Sequence, residues 1–417
     1  VAAVVLVGGN SLLVAGAAPR EELDGVTGIL ILSAVVSAFV AVFVVAGMLG
    51  LHASRRRRTW GLLRSVGMTG RQMRGLVLAE ALTLALVAGV VGSVLAVPYA
   101  GVAGAFVRGV GLAPGGIPLV VTPVPFVVAM AVGPVVTLMG SLGAARRAVR
   151  LRPVEVLREA HVQKRIMPWP RAGFGVVALA AGLWMAVEMS RMPYKDAEAT
   201  VFGTTLILCT GVAALGPAVL YGLVRVAGAV LVRADPWAGR LARSGLLAAP
   251  GRAWSMVAPV MLTMALACTF LFGVSTGDAF KGVHRHGPSA WVAPLMVGSA
   301  VMFTVIGVVN ASAVAMADRR DGLRLLRQLG ALPAQLVRTV CWESLAATLV
   351  GVALGTAIAM ISLLALGRSM TGGLWFEWSP GQYLGLLAVC VGGGLAGGLG
   401  ATRSARKGAL VPAGMTR

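Results

Sequence analysis

The sequence predicts an all-α polytopic membrane protein with about ten transmembrane helices arranged 4+2+4 and no large extracellular domain. Three observations carry this expectation. Of 417 residues, 58% are hydrophobic and only 12% charged, which excludes an ordinary soluble protein of this size. Apolar runs long enough to span a bilayer recur along the whole chain. Two four-span stretches match each other at a fixed offset, as a parallel internal repeat would.

The first span, Val1 to Ala18, lacks a basic lead and is read as a span rather than a cleaved signal; because position 1 is Val, the natural start is expected upstream. An acidic outer loop, Arg20 to Asp24, precedes the second span, Val26 to Ala53, which ends at the run Arg55-Arg56-Arg57-Arg58. The third, Leu76 to Val107, is interrupted near Pro98 and reaches a Gly/Pro-rich outer loop, Gly109 to Pro125. The fourth, Phe126 to Leu142, returns to a basic stretch, Arg146 to Arg171. Spans five and six, Ala172 to Met189 and Val201 to Leu223, flank the outer loop Ser190 to Thr200 and lead to a basic cytoplasmic segment, Arg225 to Arg252. Span seven, Ala253 to Val274, leads to an outer loop, and span eight is Trp291 to Ala317. Span nine, Val340 to Leu366, ends in a loop with Trp375 and Trp378 as interfacial anchors. Span ten, Tyr383 to Gly400, returns to Arg403, Arg406 and Lys407.

The resulting domains are residues 1–160, a first four-span unit; 161–252, a two-span connector; and 253–417, a second four-span unit. Charge sets the orientation. Of the 36 Lys and Arg residues, Arg20, Arg108, Arg191, Lys195, Lys281, Arg285 and Arg368 fall in outer loops, leaving 29 inside. Both termini are therefore expected in the cytoplasm. The net charge of +21 reflects this bias, and no aromatic-basic platform for nucleic acid accompanies it.

The repeat is sharpest around Arg55 to Glu80. Leu62, Leu63, Arg64, Gly67, Gln72, Val77 and Glu80 recur 263 positions on as Leu325, Leu326, Arg327, Gly330, Gln335, Val340 and Glu343. Apolar matches are easily obtained in such a chain, whereas matches at Arg, Gln and Glu are not. Each copy is an amphipathic segment, too polar to cross the bilayer, which should lie along the cytoplasmic face. Gly67 and Gly330 stand where a helix would end and the chain turn into the next span. Glu80 and Glu343 are expected to cap or pair with neighbouring arginines at the membrane border.

No chemistry of its own is expected of the chain. The lysines Lys164, Lys195, Lys281 and Lys407 each lack a preceding glycine, so no phosphate loop exists and no cofactor is expected. The span centres hold almost no ionisable residues, unlike proton- or sodium-driven carriers. Cys209, Cys268, Cys341 and Cys390 show no paired spacing. His284 and His286 have no carboxylate or thiol partner nearby, so no metal is expected. No nucleophile–base pair is apparent, and the chain is not expected to be an enzyme. Energy should arrive through a partner.

The stretch RRRRTWGLLRSVGMTGRQMRGLVLAEAL resembles the cytoplasmic signature of FtsX-like permeases, the membrane subunits of MacB-type ABC transporters, and AARRAVRLRPVEVLRE resembles the basic tail after their fourth span. The second copy departs: Asp318, Asp321 and Gly322 dilute its basic run, and its tail lacks the P-x-E-x-L-R ending. The resemblance implies two FtsX-like units fused in one chain, in a bacterial cytoplasmic membrane, served by an ATPase dimer that binds the ATP. It implies coupling through Arg57, Trp60, Leu62, Leu63, Arg64, Val66 and Gly67, and through Leu325, Leu326, Arg327, Leu329 and Gly330. Short outer loops favour export of a hydrophobic or amphipathic substrate, an antibiotic or a lipid, drawn from among the membrane lipids. The alternatives are an ATP-driven mechanical transmitter acting on a sensor kinase or cell-wall hydrolase without transport, and a lipid-modifying enzyme.

Overall fold

The computed structural model describes residues 66–109, 169–248, 250–282 and 330–409, with a few isolated positions besides. Among the described residues all regular structure is helical, without strands. Five of the helices are long and apolar enough to cross a membrane, so the chain is a polytopic membrane protein. It divides into two compact units, Val1–Val162 with Lys281–Phe303, and Gln163–Phe280 with Thr304–Arg417.

In the first unit, α1 spans Gly70–Gly109. It starts earlier than the apolar run suggests and passes unbroken through Pro98. A proline removes one helical hydrogen bond, and the helix on either side carries the segment across that gap. Beyond the buried Met73 of its first turn, the buried positions are small: Ala81, Ala85, Gly89, Gly92, Ser93, Ala96 and Ala100 form a stripe of three- and four-residue steps. The bulky Leu84, Val87, Val90 and Val94 are exposed instead. Small residues inward and large apolar ones outward is the pattern of a helix that packs closely on one side and meets lipid on the other.

Among the described residues the second unit holds six helices. α2 (Trp169–Met189) and α3 (Tyr194–Ala234) form an antiparallel hairpin. Gly182 lies against Leu208 and Gly211 against the backbone of Leu179, where a methyl group would collide. The far face of α2 exposes Phe174, Val177 and Trp184, an apolar surface suited to lipid. Pro217 lies inside α3. Its ring nitrogen cannot donate to the Ala213 carbonyl one turn back, and Arg171 supplies the missing partner: its Nη2 donates to Ala213 O at 3.2 Å and its Nε to Ala214 O at 2.9 Å. The proline is thus satisfied from the neighbouring helix.

α4 (Ala238–Ala248) is a short amphipathic helix whose buried face is Ala238, Gly239, Ala242, Gly245 and Leu246. It packs on α3 and on α6 (Pro333–Thr371). α5 (Pro250–Lys281) is apolar all round and correspondingly enclosed, with 89% of its most apolar stretch buried. α6 follows α5 closely because Gly351 and Gly355 leave no side chain between α6 and the carbonyls of Val257 and Met261. Facing it, α7 (Pro380–Ala409) makes its close approach through Gly394, set against Thr348.

Polar side chains join α3, α5 and α6 at depth. Thr205 Oγ1 donates to Ser362 Oγ at 2.9 Å and lies 3.3 Å from Thr269 Oγ1, and all three residues are fully buried. Away from water, each hydroxyl needs a partner, and here the helices supply one another. At one end of the unit the Glu377 N–H donates to Thr276 Oγ1 at 3.0 Å, which ties the loop after α6 to α5. Trp375 and Trp378 in that loop are exposed, as interfacial anchors would be.

Several boundaries differ from the sequence expectation. α3 begins inside the expected loop Ser190 to Thr200, and α5 runs on to Lys281. The segment Arg225 to Arg252 is helical nearly throughout. In each case polar residues continue a helix beyond its apolar core, so hydropathy alone ends it too soon.

Candidate functional site

The two repeats meet the membrane through the same local geometry. Gly67 has φ 100° and Gly330 φ 92°, a region L-residues avoid because Cβ approaches the carbonyl oxygen. Two residues after each glycine stands the residue that caps the next helix, Thr69 before α1 and Leu332 before α6. In the first copy the Thr69 N–H donates to Gln72 Oε1 at 2.9 Å; in the second the Leu332 N–H donates to Gln335 Oε1 at the same 2.9 Å. The glutamine shared by the copies is therefore a reciprocal cap, supplying an acceptor to a backbone donor the helix cannot satisfy.

The copies then diverge. Thr69 Oγ1 accepts the Gln72 N–H at 3.4 Å, completing the box, and also donates to Gln72 Oε1 at 3.0 Å. Leu332 has no side-chain acceptor, and α6 relies on Pro333 at its first position. Val66, just ahead of the first turn, is 87% exposed, and Leu332 is 62% exposed. Both offer apolar surface at the tip of a sharp turn. One helical stage further, Glu343 is buried at 8% exposure while Glu80 is only partly covered.

Of the residues the sequence singles out, Val66, Gly67 and Gly330 are described and sit at these turns. Arg57, Trp60, Leu62, Leu63, Arg64, Leu325, Leu326, Arg327 and Leu329 lie outside the described residues, as does His284-Arg285-His286. Among the described residues no group of three or more His, Cys, Asp or Glu side chains gathers as metal ligands would.

Sequence reasoning missed Asp235, between α3 and α4, a side chain on which several partners converge. Its Oδ1 accepts the Ala238 N–H at 3.0 Å and the Trp237 N–H at 3.2 Å, which caps α4. Its Oδ2 lies 2.8 Å from Nε of Arg338, on the second turn of α6. The Trp342 side chain also faces the carboxylate. The Ala238 N–H, with Arg338, Trp237 and Trp342 behind it, holds this carboxyl below its ordinary range although burial opposes the charge. A signal was present: Asp235-Pro236 is a helix-start pair, and Asp235 is the one acid between Arg225 and Arg252.

The family described as FtsX-like permease C-terminal matches the chain in two segments, residues 31–153 and 294–410, together more than half of its length. From residue 31 to residue 294 is 263 positions, the offset that also separates Leu62 from Leu325. No curated protein matches the chain.

Proposed function

Because the chain belongs to the FtsX-like permease family, we propose that it is a membrane part of an ABC exporter carrying both permease units, moved by a separate ATPase dimer docking at its two matched turns. Permeases of this family work with a partner ATPase in ABC systems. The observation that carries the reading is the identical left-handed turn and glutamine cap at Gly67–Gln72 and Gly330–Gln335. A twofold partner needs two equivalent contact points, and this chain contains them once each.

In this reading ten spans form four, two and four, with domains 1–160, 161–252 and 253–417 and both termini on the cytoplasmic side. The cytoplasmic segments through Arg57, Trp60, Leu62, Leu63, Arg64 and Val66, and through Leu325, Leu326, Arg327 and Leu329, present apolar side chains to the ATPase and basic ones to lipid or acidic partner surface. A push from below reaches α1 through Gly67 and α6 through Gly330. The capped first turns make each helix respond as a rigid lever, because a frayed start would absorb the displacement. The moving surfaces are apolar and bear only short loops on the sequence reading, which suits a hydrophobic or amphipathic substrate such as an antibiotic or lipid, taken from the membrane and expelled.

The test is reconstitution in vesicles of the chain with and without a partner ABC ATPase. ATP-dependent extrusion of a hydrophobic dye, lost when the ATPase is omitted, is the expected result. Dye extrusion by the chain alone would refute the scheme. ATP-driven hydrolase or kinase activation without extrusion would instead favour the transmitter.

A further inference from the structure

Asp235 stands where three helices meet: it follows α3, caps α4, and receives Arg338 and Trp342 from α6. Arg338 and Trp342 are four residues apart, on one face of α6, so both reach the same carboxylate. They lie about two and three turns beyond the cap at Leu332, in the part of α6 that the Gly330 turn leads into. The positions that correspond in the first repeat are Gly75 and Ala79, which carry no side-chain donor. Gly75 has open space around it. The connector, moreover, occurs only once in the chain, and residues 163–280 cluster with 304–417 as one compact unit.

We infer that Asp235, held by Arg338 and Trp342, is a positioning residue that gears the connector helices α3 and α4 to α6 of the second repeat, so that a push entering at Gly330 is passed on to the connector. Displacement entering at Gly330 carries α6, and through the carboxylate carries α4 and the end of α3 with it. The ion pair acts as a tie more than as a source of stability. Arg338 is 69% exposed, and an ion pair open to water on one side contributes little to folding. Its geometry nevertheless fixes which helix α4 follows. Arg243 adds a second tether, its Nη2 donating to the Arg225 carbonyl of α3 at 2.9 Å, so α3 and α4 move together.

This inference rests on the coupling role proposed above, and the experiment separates the two. The chain with its ATPase in nanodiscs is followed by hydrogen exchange of segment 238–248, nucleotide-free and with ATP trapped by vanadate. In the native chain the exchange of that segment should differ between the two states. Arg338→Ala and Asp235→Asn should diminish the difference severalfold while ATP hydrolysis continues, and Arg338→Lys should restore most of it. Asp235→Asn keeps a side-chain oxygen for the α4 cap, so loss of the response there reflects the tie and not an unfolded helix. If both variants respond as the native chain does, the gearing is refuted. The same holds if the ATPase hydrolyses ATP on the native chain with no change in 238–248. An ATPase that neither binds nor is stimulated by the native chain would overturn the coupling role itself, and the gearing with it.

Discussion

Gly67 and Gly330 share a left-handed backbone, φ 100° and φ 92°, although 263 residues separate them. A Cβ at either position would meet no other heavy atom within 4 Å, so the constraint at both is the backbone alone. Replacing either by Ala should cost about 1–2 kcal/mol locally, and either variant should lose coupled ATP hydrolysis while keeping its spans. Asn, which tolerates positive φ better, should be the milder change at both sites. Thermal unfolding and ATPase stimulation measured side by side check this; full stimulation in both Ala variants would count against the turns.

Gln72 and Gln335 accept equivalent hydrogen bonds, but their removal should not be equivalent. Thr69 retains its hydroxyl as an acceptor for the first turn of α1, whereas Leu332 has nothing to offer α6. Gln335→Ala should therefore fray its helix more than Gln72→Ala, with a local loss of about 1 kcal/mol typical of a cap. Hydrogen exchange of residues 333–337 against 70–74 reads the difference directly. Equal effects would show that the second cap rests on Pro333 alone.

The buried hydroxyls of Thr205, Thr269 and Ser362 should each be replaceable only at a cost. Thr205→Val keeps the shape and leaves the partners on α5 and α6 one bond short. A destabilisation of about 0.6–2 kcal/mol is expected from interhelical hydrogen bonds of this kind. Ser275→Ala, whose hydroxyl bonds only its own helix at Leu271 O, should be nearly silent. Detergent thermal shift compares the two.

Arg171 should prove necessary to the proline-bearing helix beside it. Arg171→Ala leaves the Ala213 carbonyl, freed by Pro217, without this donor. Combining it with Pro217→Ala, which restores the helical N–H, should recover much of the lost stability. Additive losses in the double variant would contradict the pairing.

Because the Asp235 carboxyl is held below its ordinary value of 3.8, its contribution to stability is fully present above that value and is lost as pH falls through the lower folded one. Native chain and Asp235→Asn should thus differ by a constant amount from about pH 5 to pH 8, and converge only below the ordinary carboxylate range. Unfolding followed against pH in both proteins tests the sign; convergence on raising the pH would contradict it.

Much of this was legible in the sequence for definite physical reasons. The repeat was readable because Arg64, Gln72 and Glu80 recur as Arg327, Gln335 and Glu343, matches that a greasy composition does not produce by chance. The Gly351/Gly355 seam between α6 and α5 is close because only small residues at a four-residue step allow two helices so near each other. Helix ends were not legible, since Gly70 to Gly75 and Thr276 to Lys281 are helical but polar. The Asp235 hub was hidden for another reason. Its parts, Asp235, Arg338 and Trp342, are far apart in sequence, and only the packing of α4 on α6 brings them together.

The central claim is that the chain is moved from the turns that lead into α1 and α6 by an ATPase it does not contain. Its most direct measure is ATP hydrolysis by the partner ATPase on titration with reconstituted chain, native or carrying Leu63→Asp with Leu326→Asp. Saturable stimulation by the native chain, abolished in the double variant while its spans stay folded, is the expected result. Undiminished stimulation by the double variant would contradict the account.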